Sequence, residues 1–246
     1  MRLLNIIFLS LIICSFSCKK KNLGDCFKST GDLVEQEREM STFSKIIINN
    51  NVNVLLDPSL SNKIIVSAGE NLLDKITTEY NADTLVISNN NSCNWVRDFS
   101  VPITVSLPLS QLNNIEYRSI GDINCADTIY CDTLTVNVFE GAGNLNILVN
   151  AYQIHSSLHY GTADILISGR CSISYIYSAS FGLIDNRNLY CSLVYANNKS
   201  SNDLYLRAEK TLAATIESIG NIYYVGSPES ISLNQIGSGS LIELSE

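Results

Sequence analysis

Short runs of alternating apolar and polar residues dominate the chain from residue 43 onward and predict β-strands. In the first half they occupy residues 46–48, 52–56, 63–68, 85–87, 101–107 and 112–117. Leu72, Leu73 and Ile76 follow helical spacing, so one short helix is predicted among them. The chain is therefore predicted to be an all-β protein interrupted by a single helix.

The second half of the chain repeats itself. A small or polar pair followed by an aliphatic residue recurs seven times, beginning at Gly121, Gly143, Ala163, Gly182, Asn202, Gly220 and Gly239. Successive instances lie 18 to 22 residues apart. A repeat of this length holds two or three strands that are too short to be helices.

A coil of about 20 residues circles a narrow solenoid once, with its strands parallel to those of the coils above and below. The predicted fold is thus a single-stranded, right-handed parallel β-helix (β-solenoid) over residues 41–246. The repeated Gly and Asn/Asp positions are expected at a corner that needs a positive φ or a side-chain-capped turn. A β-propeller is the main alternative, but its blades repeat at about 40 residues or more.

The first 40 residues are predicted to be an export and membrane-anchoring segment rather than a folded domain. Residues 1–17 have a positive start and an apolar run too short to span a bilayer, as in a signal peptide. The run ends in Ser15-Phe16-Ser17-Cys18, which resembles a bacterial lipobox with Cys18 as the lipidated residue; an ordinary secreted protein cut nearby is the alternative. Residues 18–40 are then predicted to be a tether, with a short amphipathic helix at 33–40 as the alternative. The expected location is the cell envelope, anchored to the outer membrane on its periplasmic or surface face.

Composition narrows the class of partner. The formal net charge is −8, and the one basic run, Lys19-Lys20-Lys21, adjoins the apolar leader. Since nucleic-acid binding needs a basic patch for phosphate contacts, a nucleic-acid partner is excluded.

Several segments resemble a known family. Residues 43–48, 66–76 and 83–87, together with the repeated Gly-Asp-Ile units, are similar to the auto-transporter-adhesin head domain, or GIN domain, over roughly residues 41–240. The resemblance implies a β-solenoid envelope protein, often a lipoprotein. It brings no catalytic residues and no cofactor.

Two groups of residues could bind a metal ion: the two histidines and a column of aspartates. His155 and His159 are four residues apart, about 13 Å along a strand, which is too far for one ion. Asp122, Asp164 and Asp203 share the corner column with Asn residues. Calcium needs six to eight converging oxygens, so Asx-type capping is the simpler interpretation, and no metal site is predicted.

Cys171 and Cys191 lie one coil apart. Stacked parallel strands place such residues about 4.8 Å apart, which suits either a disulfide or two buried thiols. The other cysteines form no CxxC motif, so zinc and thioredoxin-like chemistry are not expected.

Two functions remain open. The first is a non-catalytic adhesion, binding or scaffolding module for a glycan or an envelope protein, using an outward stripe of tyrosines at positions 152, 160, 175, 177, 195 and 205. The second is a polysaccharide lyase or hydrolase, for which Arg170, Arg187 and Arg207 are the candidate ligand face, since they are regularly spaced. No catalytic residue is predicted.

Overall fold

The computed structural model describes residues 29–92, 101–109 and 112–245. The leader, Cys18 and the basic run lie outside the described residues, as do Cys26 and Cys93. Among the described residues the structure contains no helix long and apolar enough to cross a bilayer.

The described chain is all-β, as predicted. Its first nine strands are β1 (Leu33–Glu39), β2 (Lys45–Asn50), β3 (Asn53–Leu56), β4 (Lys63–Gly69), β5 (Ile76–Asn81), β6 (Thr84–Asn89), β7 (Thr104–Leu107), β8 (Asn114–Ser119) and β9 (Ile123–Cys125). The next ten are β10 (Ile129–Gly141), β11 (Asn144–Leu158), β12 (Asp164–Ser178), β13 (Ile184–Asn186), β14 (Leu189–Asn198), β15 (Leu204–Arg207), β16 (Thr211–Ile216), β17 (Ile222–Val225), β18 (Ser230–Gln235) and β19 (Leu241–Glu243). The predicted short helix is present as a 3-10 helix at Glu70–Lys75.

The strands form a β-solenoid of about six turns with coils of about 20 residues, so the solenoid is confirmed over the propeller, and its right-handedness stays a prediction. Two stacks of strands enclose one core. Sheet A runs in the order β1, β4, β7, β3, β9, β11, β12, β13, β15, β17, β19. Sheet B runs β5, β6, β2, β8, β10, β11, β12, β14, β16, β18, and the long strands β11 and β12 bend from one sheet into the other.

The aliphatic residue of each predicted repeat forms one inward column of sheet A. Its members are paired in register from coil to coil: Ile123, Leu145, Ile165, Ile184, Leu204, Ile222 and Leu241. All but the last are at most 1% exposed. Each such side chain contributes roughly 1.5 to 3 kcal/mol by leaving water, which explains why the column repeats without interruption.

Glycine occurs at the corners for a different physical reason from the one predicted. Gly143 and Gly182 do not adopt a positive φ; instead, their Cα atoms lie against the carbonyl oxygens of Gly121 and Ala163 in the preceding coil, where any Cβ would clash. Positive φ is found nearby, at Gly141 and Gly161. Close backbone approach therefore explains the glycine at these two corners, while other coils accept Ala163 and Asn202 at the same position.

The N-terminal end departs from regular coiling. Residues 33–39, predicted to belong to the tether or to a short helix, form β1, an antiparallel partner of β4. Backbone pairing with seven residues of β4 outweighs the weak helical signal of Leu33 to Glu39, although only Val34 and Arg38 of this strand are partly buried. The β-structure therefore begins before residue 41.

Candidate functional site

Three aromatic side chains stack on the outer face of sheet B, and we call them the aromatic ladder. His155, Tyr175 and Tyr195 are register partners on β11, β12 and β14. The ring centroids of His155 and Tyr175 are 4.8 Å apart, and those of Tyr175 and Tyr195 are 5.1 Å apart, with interplanar angles of 9° and 13°. In-register parallel pairing produces the stack, because residues at one position on successive coils point the same way.

The aromatic ladder stops abruptly. The next residue in the column is Ala213, followed by Ser232, so no ring follows Tyr195 in the column. Tyr195 is 41% exposed. The result is a flat aromatic surface available to a ligand at the end of the aromatic ladder.

A depression of about 290 Å³ adjoins this surface. Tyr175 and Tyr195 line it, together with Tyr177 and the small side chains of Ser157 and Ala213. Ligand sites combine apolar and aromatic walls with a few polar groups that fix orientation, and this depression has that composition.

Asn197 and Thr215 supply polar atoms on one side of the depression. The Asn197 Nδ2 donates to Glu217 Oε1 at 2.8 Å, while Asn197 Oδ1 is buried with no hydrogen-bond partner in the described part of the chain. An unpaired buried acceptor of this kind costs free energy.

A second aromatic group flanks the aromatic ladder. Phe139 and His159 stack with centroids 4.7 Å apart, Arg118 lies 4.7 Å from the Phe139 centroid, and His159 meets Tyr177 at 5.5 Å. Burial lowers the pKa of His159, which favours the neutral ring at neutral pH. Both predicted histidines thus take part in aromatic contacts.

The candidate arginines lie around two tyrosines, and we call this group the arginine–tyrosine patch. Arg170 and Arg207 approach the ring of Tyr190, with guanidinium carbons 5.5 and 4.5 Å from its centroid. Arg187 lies 4.7 Å from the centroid of Tyr205. The three arginines predicted from spacing are therefore brought into one neighbourhood, held by cation–π contacts.

Two of these arginines are already paired with carboxylates. Arg187 Nη2 is 2.5 Å from Asp185 Oδ2, and Arg207 Nη1 is 3.3 Å from Glu209 Oε1. Burial would raise the pKa of Asp185, but the hydrogen bonds and charge of Arg187 lower it below its ordinary value. Arg170 is exposed and carries no ion pair within the described ranges, so it is the cation best placed to meet an acidic ligand.

Cys171 and Cys191 are register partners on β12 and β14, as their spacing predicted, and both are buried. They are free thiols in this structure. The hydrogen bond with Cys191 and burial together raise the pKa of the Cys171 thiol. The placement suits either alternative, and the disulfide stays a prediction.

The acidic side chains of the corner column accept hydrogen bonds from backbone amides. Asp122 Oδ1 accepts from the Asn144 amide at 2.8 Å, Asp164 Oδ1 from the Leu183 amide at 2.8 Å, and Asp203 Oδ1 from the Asn221 amide at 2.9 Å. The capping interpretation is thus right in kind, but each side chain caps the next coil rather than its own turn. The described residues hold no group of three metal-ligating side chains.

The predicted tyrosine stripe divides between faces. Tyr175, Tyr177 and Tyr195 surround the depression, whereas Tyr205 stacks on Tyr223 in sheet A at 5.0 Å. Tyr152 and Tyr160 are 61% and 70% exposed and lie outside these stacks. His155 and Tyr190 were missed as members of the sites. The exact 20-residue spacing of positions 155, 175 and 195 is the signal that would have found the aromatic ladder.

Comparison with known proteins finds similarity over most of the solenoid. The family model described as "Putative auto-transporter adhesin, head GIN domain" matches residues 42–228. No curated protein matches the chain.

Solved structures share the fold. A "putative adhesin" from Bacteroides fragilis NCTC 9343 superposes with a TM-score of 0.78 at 20% identity, over 88% of this chain and 100% of that one. A "putative adhesin" from Parabacteroides merdae ATCC 43184 gives 0.64 at 17% identity, covering 89% and 99%. A "putative lipid binding protein" from Parabacteroides distasonis ATCC 8503 gives 0.68 at 18% identity, covering 89% and 99%. At these identities the likeness shows the fold alone.

Proposed function

Because the chain belongs to the auto-transporter-adhesin head GIN domain family, we propose that it is a non-catalytic adhesion module of the bacterial cell envelope that binds carbohydrate. The open end of the aromatic ladder at Tyr195 is the observation that carries this proposal. Neither the family description nor the descriptions of the solved neighbours name an enzyme.

A sugar ring suits this surface chemically. One face of a pyranose presents C–H groups, which stack on an aromatic ring, and its rim presents hydroxyls that need hydrogen-bond partners. Tyr195 provides the ring, and Asn197, Thr215 and Ser157 provide polar atoms beside it. The volume of about 290 Å³ lies at the lower end of ligand sites, which fits one or two sugar units of a longer chain.

The arginine–tyrosine patch is a second contact in this proposal. Its exposed Arg170 provides a cation for a carboxylate or sulfate substituent of the same or another glycan. Arg187 and Arg207 reinforce the patch rather than bind directly, because their charges are balanced by Asp185 and Glu209.

The alternative of a polysaccharide-processing enzyme has less support. Such enzymes need carboxylates that are free to act as acid, base or nucleophile in a cleft. The carboxylates beside the candidate arginines are instead held in ion pairs. Turnover of pectin-like or glycosaminoglycan substrates by the purified chain would reverse this preference.

Binding is tested with a glycan array, followed by calorimetry on the best hit. We expect Tyr195→Ala to weaken binding about fivefold to tenfold, since one aromatic stack contributes roughly 1 kcal/mol. Tyr160→Ala is the matched control, because Tyr160 is exposed but lies outside the aromatic ladder. Equal affinity of the two variants, or capture of an envelope protein with no glycan bound, would overturn the carbohydrate proposal.

We also propose that a lipid on Cys18 anchors the module to the outer membrane. Labelling cells with a fatty-acid analogue is expected to mark the wild-type chain and not Cys18→Ser. Label on both chains, or on neither, would contradict the anchor. Protease treatment of intact cells then distinguishes the surface from the periplasmic face.

A further inference from the structure

We propose that the C-terminal end of the solenoid is a self-association surface, on which a second copy of this chain docks tail to tail through antiparallel pairing of β18. This inference is independent of the carbohydrate proposal, because it concerns the end of the solenoid rather than its outer faces.

The last coil leaves its inward side chains uncovered. By register, Ile231 follows Leu212 and Leu233 follows Ala214 in the inward columns of sheet B. Leu212 and Ala214 are 0% and 3% exposed, whereas Ile231 and Leu233 are 46% and 43% exposed. Apolar columns that fill the core elsewhere therefore open to solvent at this end.

Backbone groups are also left available there. In the described part of the chain β18 pairs with β16 and β19 pairs with β17, and neither has a partner on its outer side. An uncovered strand edge beside apolar side chains is a template for another strand. A strand that docks here satisfies both features at once.

The sequence of β18 contains no device that blocks pairing. Its six residues, Ser-Ile-Ser-Leu-Asn-Gln, include no charge and no proline. At the opposite end, β1 carries Glu35, Glu37, Arg38 and Glu39 among its seven residues. In a head-to-tail contact β19 would meet the charged β1, and β18 would meet β5, which carries Glu79. Charged edges resist strand addition, so this end disfavours head-to-tail filaments and leaves tail-to-tail pairing as the closed arrangement.

A two-fold axis makes β18 complementary to itself. If the axis passes at Ser232, the antiparallel partner keeps both apolar faces inward, since side-chain direction alternates along a strand. Ile231 then lies opposite the partner's Leu233, and Ser230 lies opposite the partner's Asn234. Apolar residues meet apolar residues and polar residues meet polar ones, which argues for a second copy as the occupant.

The size of the surface sets the expected strength. A six-residue strand spans about 20 Å and facing sheets lie about 10 Å apart, so the end of one coil is a small footprint. This footprint is roughly 200 Å² on each copy, well below the roughly 1,200 Å² in total that stable specific interfaces bury. We therefore expect a concentration-dependent dimer rather than a permanent one.

The test is sedimentation equilibrium of the full chain in a mild non-ionic detergent. The wild type is expected to shift from monomer to dimer with concentration, and Ile231→Lys to remain monomeric because a charge enters the apolar pairing. Ile120→Lys is the matched control: Ile120 is 59% exposed but lies away from this end, so its variant should dimerise like the wild type. A wild type that stays monomeric, or a dimer that Ile231→Lys leaves unchanged, would overturn the proposal.

Cross-linking provides a second test that does not depend on whether Ile231→Lys folds. Ser232→Cys is expected to give a covalent dimer under mild oxidation, because the axis places two copies of this position together. Ser227→Cys, also exposed, should give several-fold less. Equal cross-linking at both positions would contradict the predicted axis, and capture of a different protein at Ser232→Cys would replace the second copy with that partner.

Discussion

The two ends of the solenoid are built differently. At the N-terminal end Arg38 reaches from β1 to Thr78 Oγ1 at 3.1 Å and to the Leu73 carbonyl at 3.4 Å, so it ties the edge of sheet A to β5 and to the 3-10 helix. At the C-terminal end all six residues of β18 are exposed. One end is closed by polar and charged groups, and the other presents the core.

The difference shows that the repeat itself does not terminate the fold. A regular coil buries its apolar columns against the coils above and below it, so the first and last coils each lack cover on one side. The N-terminal end uses an antiparallel strand of different composition, with charges that oppose strand addition. The C-terminal end keeps the pattern of the repeat, and its apolar residues stay uncovered.

The largest expected effect compares a leucine at each end. Leu85 in β6 is 0% exposed because β5 covers it, whereas Leu233 is 43% exposed. We expect Leu85→Ala to lower the free energy of unfolding by about 2 to 5 kcal/mol and Leu233→Ala by less than about 1 kcal/mol, measured by urea denaturation of the monomer. Equal losses would mean that the C-terminal end is covered in solution.

Tyr117, in the middle of the solenoid, is an interior residue with which the stability losses at both ends can be compared. Tyr117 is fully buried, donates its hydroxyl to the Gly121 carbonyl at 2.6 Å and accepts from the Gly143 amide at 3.0 Å. Tyr117→Phe leaves both groups unpaired, so we expect a loss of about 1 to 3 kcal/mol by the same measurement. A loss smaller than that of Leu233→Ala would contradict the ranking of interior over end.

Tyr117 also predicts a response to alkaline pH. Burial raises the pKa of Tyr117 to about 12, so the folded state holds this proton more tightly than the unfolded state. Its contribution to stability is complete below pH 10 and is lost as the pH rises toward 12. Between pH 9 and 11.5 the wild type should lose more stability than Tyr117→Phe; parallel curves would contradict the assignment.

Arg38 tests how the N-terminal end is closed. We expect Arg38→Ala to lower the free energy of unfolding by about 1 to 2 kcal/mol, because two hydrogen bonds across the end are lost. Arg38→Lys keeps the charge but not the planar fork, and should recover less than half of the loss. Full recovery by lysine would show that charge alone closes this end.

The smallest expected effect concerns the exposed charges of β1. Glu37 pairs with Lys63 at 2.6 Å, but both side chains are largely solvent-exposed. We expect Glu37→Gln to change the free energy of unfolding by less than about 1 kcal/mol. A larger loss would mean that these charges stabilise the fold rather than protect its edge.

The regular half of the fold was predictable because its signal is local and repeated. Seven repeats at nearly constant spacing predicted stacked coils, and the structure pairs the aliphatic residues of these repeats in register. The N-terminal part was not predictable in the same way. There β3 pairs with both β7 and β9, so the order of strands depends on long-range contacts that no local pattern records.

The candidate sites were predicted only in part. Regular spacing located the three arginines of the arginine–tyrosine patch. The ion pairs of Arg187 with Asp185 and of Arg207 with Glu209 depend on side-chain positions that the spacing does not record. The tyrosine stripe was assigned to one surface, yet Tyr205 follows Tyr195 by about half a coil and therefore lies on β15 in sheet A, where it stacks on Tyr223.

The corner side chains have a consequence for how such a chain lengthens. Four corner side chains accept a hydrogen bond from the following coil, and each needs from that coil only a backbone amide at the right height. Leu183 supplies such an amide without any polar side chain. Duplication or deletion of one whole coil would therefore leave every remaining corner with a partner, whereas an insertion of a few residues inside a coil would displace the amide. The unit in which this molecule can be extended by tandem duplication is the coil.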